Sequence, residues 1–353
     1  MKRLKKWILD NLVNIAMAIS VIGFLMIILF ALIKPFNGWG KANSELFGRY
    51  GDFIGGTVGS IFSLAAFYLV YVTFKSQNKQ YRVDSFEKKL YTLIELHKQN
   101  VNEINISNKV AGRKAFVSFF YEYQFCFRCV EYAYTQIKNQ FPKLKLTDID
   151  FNVIAYYIFY LGLGKHSDKL VGWATLKHYD PDMMAKLLTI CHDITDCSWQ
   201  KQKRQKIIVD ADSTVDLLNK EYRKIIDGYI PHFKPANGHM SVLGHYYRHM
   251  FLILKTISDA DFLTKTQKYE YSKVLRAQLS DFELLMLYFN VLTPLGEAWF
   301  TYNYIKDYRF LTNMPYPYIT FGEQPITTLQ SKGVLNQDEK SIKNYFEWNE
   351  SLI

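Results

Sequence analysis

Two long uncharged runs stand near the start of the chain, and the rest of the sequence mixes apolar and polar residues. The first run, "IAMAISVIGFLMIILFALI", follows a basic N-terminus, and the second, "FIGGTVGSIFSLAAFYLVYVTF", ends at Lys75. A membrane-spanning helix needs about 20 mostly apolar residues, so we predict transmembrane helices over about residues 11–33 and 53–74. A cleaved secretory signal is the alternative for the first run, but the following "KPFNGWG" lacks the small-residue cleavage site of such signals.

Lysine and arginine are concentrated before the first predicted span and after the second, and the connecting loop, residues 34–52, carries fewer of them. Positively charged flanks favour the cytoplasmic side of a membrane. The pattern therefore predicts a hairpin whose N- and C-termini are both cytoplasmic, with membrane lipids as a partner.

Small residues recur at helical spacing along the second predicted span. They are Gly55, Gly56, Gly59 and Ser63, and Asp52 precedes them. Small side chains let two helix backbones approach closely in lipid, so we predict a homo-oligomer formed through this span. A general enrichment of glycine in membrane helices is the alternative. Asp52 suits the N-terminus of the second helix, or it lines a pore.

From Arg82 onward, apolar residues recur with the period of a helix, and Phe86, Leu90, Ile94 and His97 share one face. We predict an all-α fold. An N-terminal two-helix transmembrane hairpin occupies residues 1–81, and a cytosolic α-helical sensing or regulatory domain occupies residues 82–353.

Capping and turn residues place the helices of this second domain. Asp180 followed by Pro181 is typical of a helix start. Further helices are predicted over about residues 212–226, 241–257, 265–291 and 295–307. The proline-rich "NMPYPYITFGEQP" predicts a short extended segment in the tail.

Polar residues follow one edge of an otherwise apolar predicted helix, "RAQLSDFELLMLYFN". Arg276, Ser280, Glu283 and Asn290 share this edge. A buried ionic network that fixes helix packing is one explanation, because an unpaired buried charge is costly. An anion or nucleotide pocket built on Arg248 and Arg276 is the second, and a catalytic site is the third. Arg276, Ser280 and Glu283 are thus ligand or regulatory candidates.

Histidines cluster in "GHMSVLGHYYRHMFLILKTI". His245 and His249 are one helical turn apart, which suits metal chelation, but no glutamate stands between them as in the H-E-x-x-H hydrolase motif. We therefore expect His245, Arg248 and His249 to form a polar or anion-binding patch rather than a metal site.

Cysteine spacing raises the question of zinc. Cys126 and Cys129 form a C-x-x-C pair, and Cys191, His192 and Cys197 lie downstream. The downstream spacing is not that of a zinc knuckle, and the pair falls on a predicted helix. The sequence therefore predicts buried reduced thiols and no metal.

The chain has 353 residues and a formal net charge of +10, which favours an anionic partner. The basic run "KQKRQK" supplies Lys201, Lys203, Arg204 and Lys206 as candidate contacts to nucleic acid or another anion. A solvated loop or a contact with lipid headgroups explains the run equally well. No phosphate-binding loop, dinucleotide fingerprint or nucleophile elbow is present, so the sequence predicts no catalytic residue and no cofactor.

Five stretches together resemble the AbiC-type phage abortive infection proteins of bacteria. They are "GDFIGGTVGSIFSLAAFYLVYVTFKSQ" (51–77), "GRKAF" (112–116), "YIFYLGLG" (157–164), "LGHYYRHMFLILKTI" (243–257) and "LRAQLSDFELLMLYFN" (275–290). The resemblance runs from the second predicted span to about Asn313. It implies an antiphage effector in the bacterial inner membrane whose activation stops the growth of an infected cell. Similar two-span proteins occur as toxins beside reverse transcriptases in retrons, so a reverse transcriptase–nucleic acid complex, or another antitoxin encoded nearby, is a candidate partner.

The leading expectation is an effector, not an enzyme, that oligomerises when triggered and disrupts the inner membrane. A membrane-tethered nuclease or nucleotide hydrolase is the alternative, with its site among His245, Arg248, His249, Arg276 and Glu283. A module that holds a nucleic-acid complex at the membrane is the third hypothesis.

Overall fold

A computed structural model describes residues 12–32, 44–106, 110–164, 179–204 and 234–346. The described residues are mostly helical, which agrees with the predicted all-α class. They fall into two compact units, Met1–Lys89 and Leu90–Ile353. The helix predicted over residues 212–226 lies outside the described residues.

The first unit is built from helices. Helix α1 is Leu12–Ala31, α2 is Ser44–Phe53, a π-helical turn covers Ile54–Val58, and α3 is Gly59–Asn102. The predicted loop over residues 34–52 is therefore too long, because helix begins at Ser44. Glu45 lies in the first turn of α2 and accepts a hydrogen bond from Arg49 at 2.9 Å, and both features favour a helix there.

Membrane-spanning potential differs between the two predicted spans. The helical segment Gly51–Asn102 runs from the end of α2 through the π-helical turn and α3. Within the described part of the chain, it is the one helix long and apolar enough to cross a membrane. Its most apolar stretch, the apolar window, is not buried within the chain. Near the N-terminus, the corresponding apolar helical segment, Ser20–Leu29 within α1, is shorter. The second predicted span thus has a matching helix, whereas the two-span hairpin is not confirmed.

The second unit begins within α3 and continues through a short hairpin. Strands β1 (Asn105–Ile106) and β2 (Val110–Ala111) pair antiparallel. The helices that follow are α4 (Lys114–Ile137), α5 (Asp148–Leu161), α6 (Pro181–Arg204), α7 (Met240–Ser258), α8 (Lys265–Arg276), α9 (Asp281–Val291), α10 (Ala298–Thr301), α11 (Tyr304–Asp307), α12 (Pro325–Ser331) and α13 (Glu339–Tyr345), with 3₁₀ turns at Lys138–Gln140 and Tyr316–Tyr318.

Helix α4 is the centre of this unit. It packs against α5, α6 and α9, while α7 packs against α5 and α8. Aromatic rings fill the space between these helices, and the ring centroids of Tyr123 on α4 and Phe289 on α9 are 4.2 Å apart. Phe116, Phe119 and Phe159 are fully buried beside them. Large rigid rings bury much apolar surface each, so the many Phe and Tyr residues supply much of the core of this unit.

Side-chain caps fix several helix starts. Asp180 accepts a hydrogen bond from the Met183 amide at 2.9 Å, which confirms the predicted start of α6. Thr147 and Asp150 form a capping box at the start of α5, and Thr264 and Gln267 form another at the start of α8. Each box satisfies backbone amides that have no partner within the helix.

Three predicted elements are corrected. The helix predicted over residues 265–291 is two helices, because the chain turns at 277–280 and Ser280 has extended backbone angles. The helix predicted over 295–307 is also two, separated at Asn303, whose φ is 56°. The tail predicted to be extended contains the 3₁₀ turn at Tyr316–Tyr318.

Two glycines bring distant parts of the chain together at the end of α5. Gly162 and Gly238 both have positive φ, and an added Cβ at Gly238 would lie 2.6 Å from the Leu161 carbonyl oxygen. Backbone hydrogen bonds close the contact, from Leu163 to Ala236 at 2.7 Å and from His239 to Tyr160 at 2.9 Å. These residues form the Gly162–Gly238 junction.

Replacing Gly238 with alanine should destabilise the protein by more than about 3 kcal/mol, because a backbone clash adds to the strain of a positive φ. Gly333→Ala is the matched control, since Gly333 also has positive φ but no atom lies within 4 Å of an added Cβ. We expect the control to cost only about 1–2 kcal/mol. Denaturant unfolding of both variants measures the difference, and equal losses would contradict the close approach.

Candidate functional site

The carboxylate of Glu283 lies at the start of α9 and is buried. Its Oε2 accepts hydrogen bonds from the Ser280 amide at 2.7 Å and the Ser280 hydroxyl at 2.6 Å. A glutamate three residues after a serine is the signature of a capping box. Ser280 therefore starts a new helix rather than sitting in the middle of a longer one.

Two further elements converge on the same carboxylate. Tyr246 of α7 donates its hydroxyl to Glu283 Oε1 at 3.1 Å, and Arg113, just before α4, places Nε 3.7 Å from Glu283 Oε2. Arg113 also donates from Nη2 to the Gln278 carbonyl at 2.6 Å, inside the turn between α8 and α9. We call Arg113, Tyr246, Ser280 and Glu283 the Glu283 network. Through these contacts, one buried carboxylate links α4, α7 and α9.

A buried histidine adjoins this network. His97 of α3 is 1% exposed, and its ring centroid lies 4.9 Å from that of Tyr246 and 5.7 Å from that of His249. Within the described residues, neither ring nitrogen of His97 has a hydrogen-bond partner, nor has Nδ1 of His249. Unpaired buried polar atoms are uncommon in folded proteins, so this pair of rings is a point of low stability in the core.

Burial sets the protonation of these groups. Desolvation, followed by the charges of His249 and Arg113, lowers the pKa of His97 to about 4. Desolvation also lowers the pKa of His249. Burial, with the adjacent carboxylate of Glu283, raises the pKa of Tyr246. His97 is therefore neutral at neutral pH, and Tyr246 remains a hydrogen-bond donor.

Arg276 contacts the chain that follows α11. It ends α8, is buried, and donates from Nη1 to the carbonyls of Tyr308 at 3.2 Å and Arg309 at 2.9 Å. This guanidinium thus holds the chain that follows α11, and an anion pocket on Arg248 and Arg276 stays a prediction. Nδ2 of Asn290 donates to the Tyr156 hydroxyl at 2.9 Å.

His245 and Arg248 lie exposed on α7, whereas His249 turns toward His97. Arg248 donates from Nε to the carbonyl of Gly244 at 2.9 Å, and both His245 and Arg248 line a groove of about 580 Å³. The five residues of the hypothetical enzyme site are thus divided among the groove, the ring contact of His249 with His97, the Glu283 network and the chain after α11.

A second buried glutamate, with a histidine as its partner, was not found in the sequence analysis. Glu122 of α4 accepts hydrogen bonds from His239 Nε2 at 2.7 Å and from the Ala236 amide at 2.8 Å. The His239 ring packs between Phe119 and Phe159, with centroid distances of 4.6 and 4.9 Å. The one available signal was a lone glutamate inside the aromatic run "FFYEYQFCF". This pair holds the Gly162–Gly238 junction against α4.

The remaining predicted residues have varied positions. Cys126, Cys129 and Cys191 are buried free thiols, and burial raises their pKa. Among the described residues, no group of three or more His, Cys, Asp or Glu could hold a metal. Lys206 lies outside the described residues, as do the side chains of Lys201, Lys203 and Arg204 at the end of α6.

In the second predicted span, Asp52 is exposed, and added Cβ atoms at Gly55 and Gly56 would meet nothing within 4 Å. At Gly59 the nearest atom to an added Cβ is the Ile54 carbonyl oxygen of the same helical segment, at 4.0 Å. Ser63 donates its hydroxyl to the Gly59 carbonyl at 2.9 Å. Gly55, Gly56, Gly59 and Ser63 are the small-residue stripe, which faces open space at Gly55 and Gly56.

Residues 238–318 match the family model described as "putative phage abortive infection protein". The predicted resemblance is confirmed over this segment. It covers α7 to α11 and contains Tyr246, Ser280 and Glu283. It includes two of the five stretches that carried the resemblance, and the other three lie before residue 238. The match supports a general role in abortive infection. No curated protein and no solved structure shows a significant match to the chain.

Replacing Glu283 with glutamine should destabilise the protein by about 1–3 kcal/mol, because it weakens charge-assisted hydrogen bonds while leaving an acceptor for Ser280. Glu297→Gln removes one exposed carboxylate and serves as the control, with an expected change below about 0.5 kcal/mol. Denaturant unfolding provides the measurement. A Glu283→Gln protein as stable as wild type that no longer arrests growth would refute a structural role.

Lowering the pH should destabilise the protein through His97. Its pKa is about 4 in the folded state against 6.5 as the ordinary value, so the unfolded chain binds the proton first and stability falls as pH falls below about 6.5. This group alone should remove about 2 kcal/mol between pH 7 and pH 5.

The contribution of His97 is isolated by comparison with His97→Phe, which keeps the ring contacts and removes the titration. The variant should lose less stability than wild type on acidification, whereas His245→Gln, at an exposed site, should behave as wild type. Denaturant unfolding of each protein, followed by far-ultraviolet circular dichroism, gives both numbers. Parallel pH profiles for wild type and His97→Phe would contradict the assignment.

Proposed function

We propose that this protein is a membrane-anchored abortive-infection effector that oligomerises when triggered and disrupts the bacterial inner membrane. The observation that carries the proposal is the exposed apolar window of the helix Gly51–Asn102. Large exposed apolar surface is unfavourable in water and favourable in lipid. The family match at residues 238–318 supports the antiphage role of the same chain.

The small-residue stripe supports association through this helix. The hydroxyl of Ser63 bonds to the Gly59 carbonyl, and that of Ser60 bonds to the Gly56 carbonyl at 2.5 Å. These serines therefore satisfy their own donors within the helix, which lets a second helix pack closely against the stripe without leaving a polar group unpaired in lipid.

The Glu283 network supplies the control element of the proposal. Helix α3, Gly59–Asn102, contains apolar residues of the exposed window. It also contains His97, near its C-terminal end. Both ring nitrogens of His97 and Nδ1 of His249 have no hydrogen-bond partner among the described residues, which makes this part of the core costly to maintain. A trigger that repacks α7 or α9 would displace His97, and we propose that the displacement is transmitted along α3.

The proposal places the protein in the inner membrane with both termini cytoplasmic, in contact with lipids and with other copies of itself. A reverse transcriptase–nucleic acid complex, or another antitoxin encoded nearby, would keep it inactive until infection. Growth arrest then follows from membrane damage and requires no catalytic step by this chain.

Ser63→Leu should abolish depolarisation of the membrane, because a bulky side chain in the stripe keeps two helices apart. Ala65→Leu is the matched control, since residue 65 lies about 200° around the helix from residue 63. Each variant keeps or increases the apolar character of the span. Induced expression with a membrane-potential dye, and quantification of protein in the membrane fraction, tests the pair.

The expected result is depolarised, arrested cells for wild type and Ala65→Leu, and polarised, growing cells for Ser63→Leu at equal membrane abundance. Arrest by wild type while cells remain polarised would exclude membrane disruption and favour the enzymatic alternative. Equal activity of the two leucine variants would exclude association through the stripe.

A further inference from the structure

A groove of about 580 Å³ opens beside α7, where Tyr160, Arg248, Phe251 and Trp299 are among its lining residues. Its volume lies in the range of small-molecule sites, which is about 300–1,000 Å³. The walls are mainly apolar and aromatic, and none of the described residues that line them is acidic. The groove thus combines flat apolar surface with positive charge.

Gly244 shapes the floor of the groove. A Cβ added there would lie 2.9 Å from the Tyr160 hydroxyl oxygen and 3.7 Å from Arg248 Nη2. The absence of a side chain at Gly244 thus leaves room for the Tyr160 hydroxyl beside this turn of α7, close to the Arg248 guanidinium. The charge of Arg248 also opposes the rise in the pKa of Tyr160 that burial causes, which agrees with their proximity.

Arg248 is held by one of its nitrogens. Its Nε donates to the Gly244 carbonyl at 2.9 Å, and the side chain is exposed. In the part of the chain that the structure describes, no carboxylate pairs with it. The two Nη groups therefore present donors to the groove, in the planar arrangement that binds phosphate or carboxylate oxygens in pairs.

The opposite wall is rigid. Gly296 lets the turn after α9 pack tightly, since an added Cβ would lie 2.6 Å from Val291 Cα. This contact positions Leu295 and Ala298, which line the groove together with the buried Trp299. A wall fixed by backbone packing keeps its shape without a ligand, which limits the entropy lost on binding.

We propose that this groove binds a free nucleotide. The phosphate would bind the Nη groups of Arg248 with the Tyr160 hydroxyl beside them, and the base would lie against the apolar and aromatic walls. A net charge of +10 favours an anionic ligand over a cationic one. The site goes beyond the proposed membrane function and does not depend on it.

The test is titration of the purified full-length protein in detergent with the four ribonucleoside monophosphates, adenosine and inorganic phosphate. We expect at least one nucleotide to bind with a Kd below about 1 mM, and adenosine and phosphate to bind at least tenfold more weakly. Arg248→Gln should weaken nucleotide binding about tenfold or more. Lys265→Gln removes one exposed positive charge away from the groove and should leave binding unchanged.

Ala298→Phe provides a second variant, because it fills the groove from an exposed position without removing a charge. It should also weaken nucleotide binding at least tenfold, with unfolding of each variant measured to confirm that it is folded. The proposal is overturned if no nucleotide binds, if phosphate binds as tightly as the nucleotides, or if Lys265→Gln is as damaging as Arg248→Gln. This experiment measures nucleotide binding only, so neither result supports or contradicts the proposed membrane function.

Discussion

The carboxylate of Glu283 is the interaction on which the arrangement of the second unit depends. It is buried where α9 begins, and it accepts hydrogen bonds from the start of its own helix and from Tyr246 of α7, with Arg113 completing its surroundings. A buried charge without such partners would be strongly unfavourable. Helices α4, α7 and α9 must therefore take the correct relative positions for the core to form. A displacement of one of them would affect the packing of the other two.

His97 introduces the opposite kind of constraint. It is as buried as Glu283, yet its nitrogens bond to none of the described residues. Glu283 has several hydrogen-bond partners, and its neighbour His97 has none among the described residues. A strong contact therefore lies beside a weak one in this core. Such a pairing lets part of a core rearrange while the rest persists, which is the property that a regulated effector needs.

The sequence predicted the elements better than their junctions. The predicted helices included the soluble part of α3 and almost all of α7, and Asp180 marked the start of α6. The polar edge from Arg276 to Asn290 was misassigned because helical spacing also fits residues on two successive helices. Ser280 and Glu283, three apart, form the capping-box pattern that marks a helix start, and that local signal should have outweighed the longer periodicity.

Other features could be recognised only in the three-dimensional structure. The partners of Glu122, Arg113 and Arg276 are separated from them by large distances along the chain, so no local pattern joins them. The division of His245, Arg248 and His249 between a groove and the core depends on which side of α7 faces α3. In contrast, the family resemblance was visible in short stretches, and the match at residues 238–318 contains the helix that bears Glu283.

The Gly162–Gly238 junction has a consequence for how such a chain can change. Hydrogen bonds on both sides of it bring residues 161–163 and 236–239 together, and the chain between them includes α6, which packs against α4. A substitution at either glycine would therefore loosen the attachment of α6 as well as that of α5 and α7. Changes in this part of the chain are tolerated only where they keep both the junction and the packing of α6.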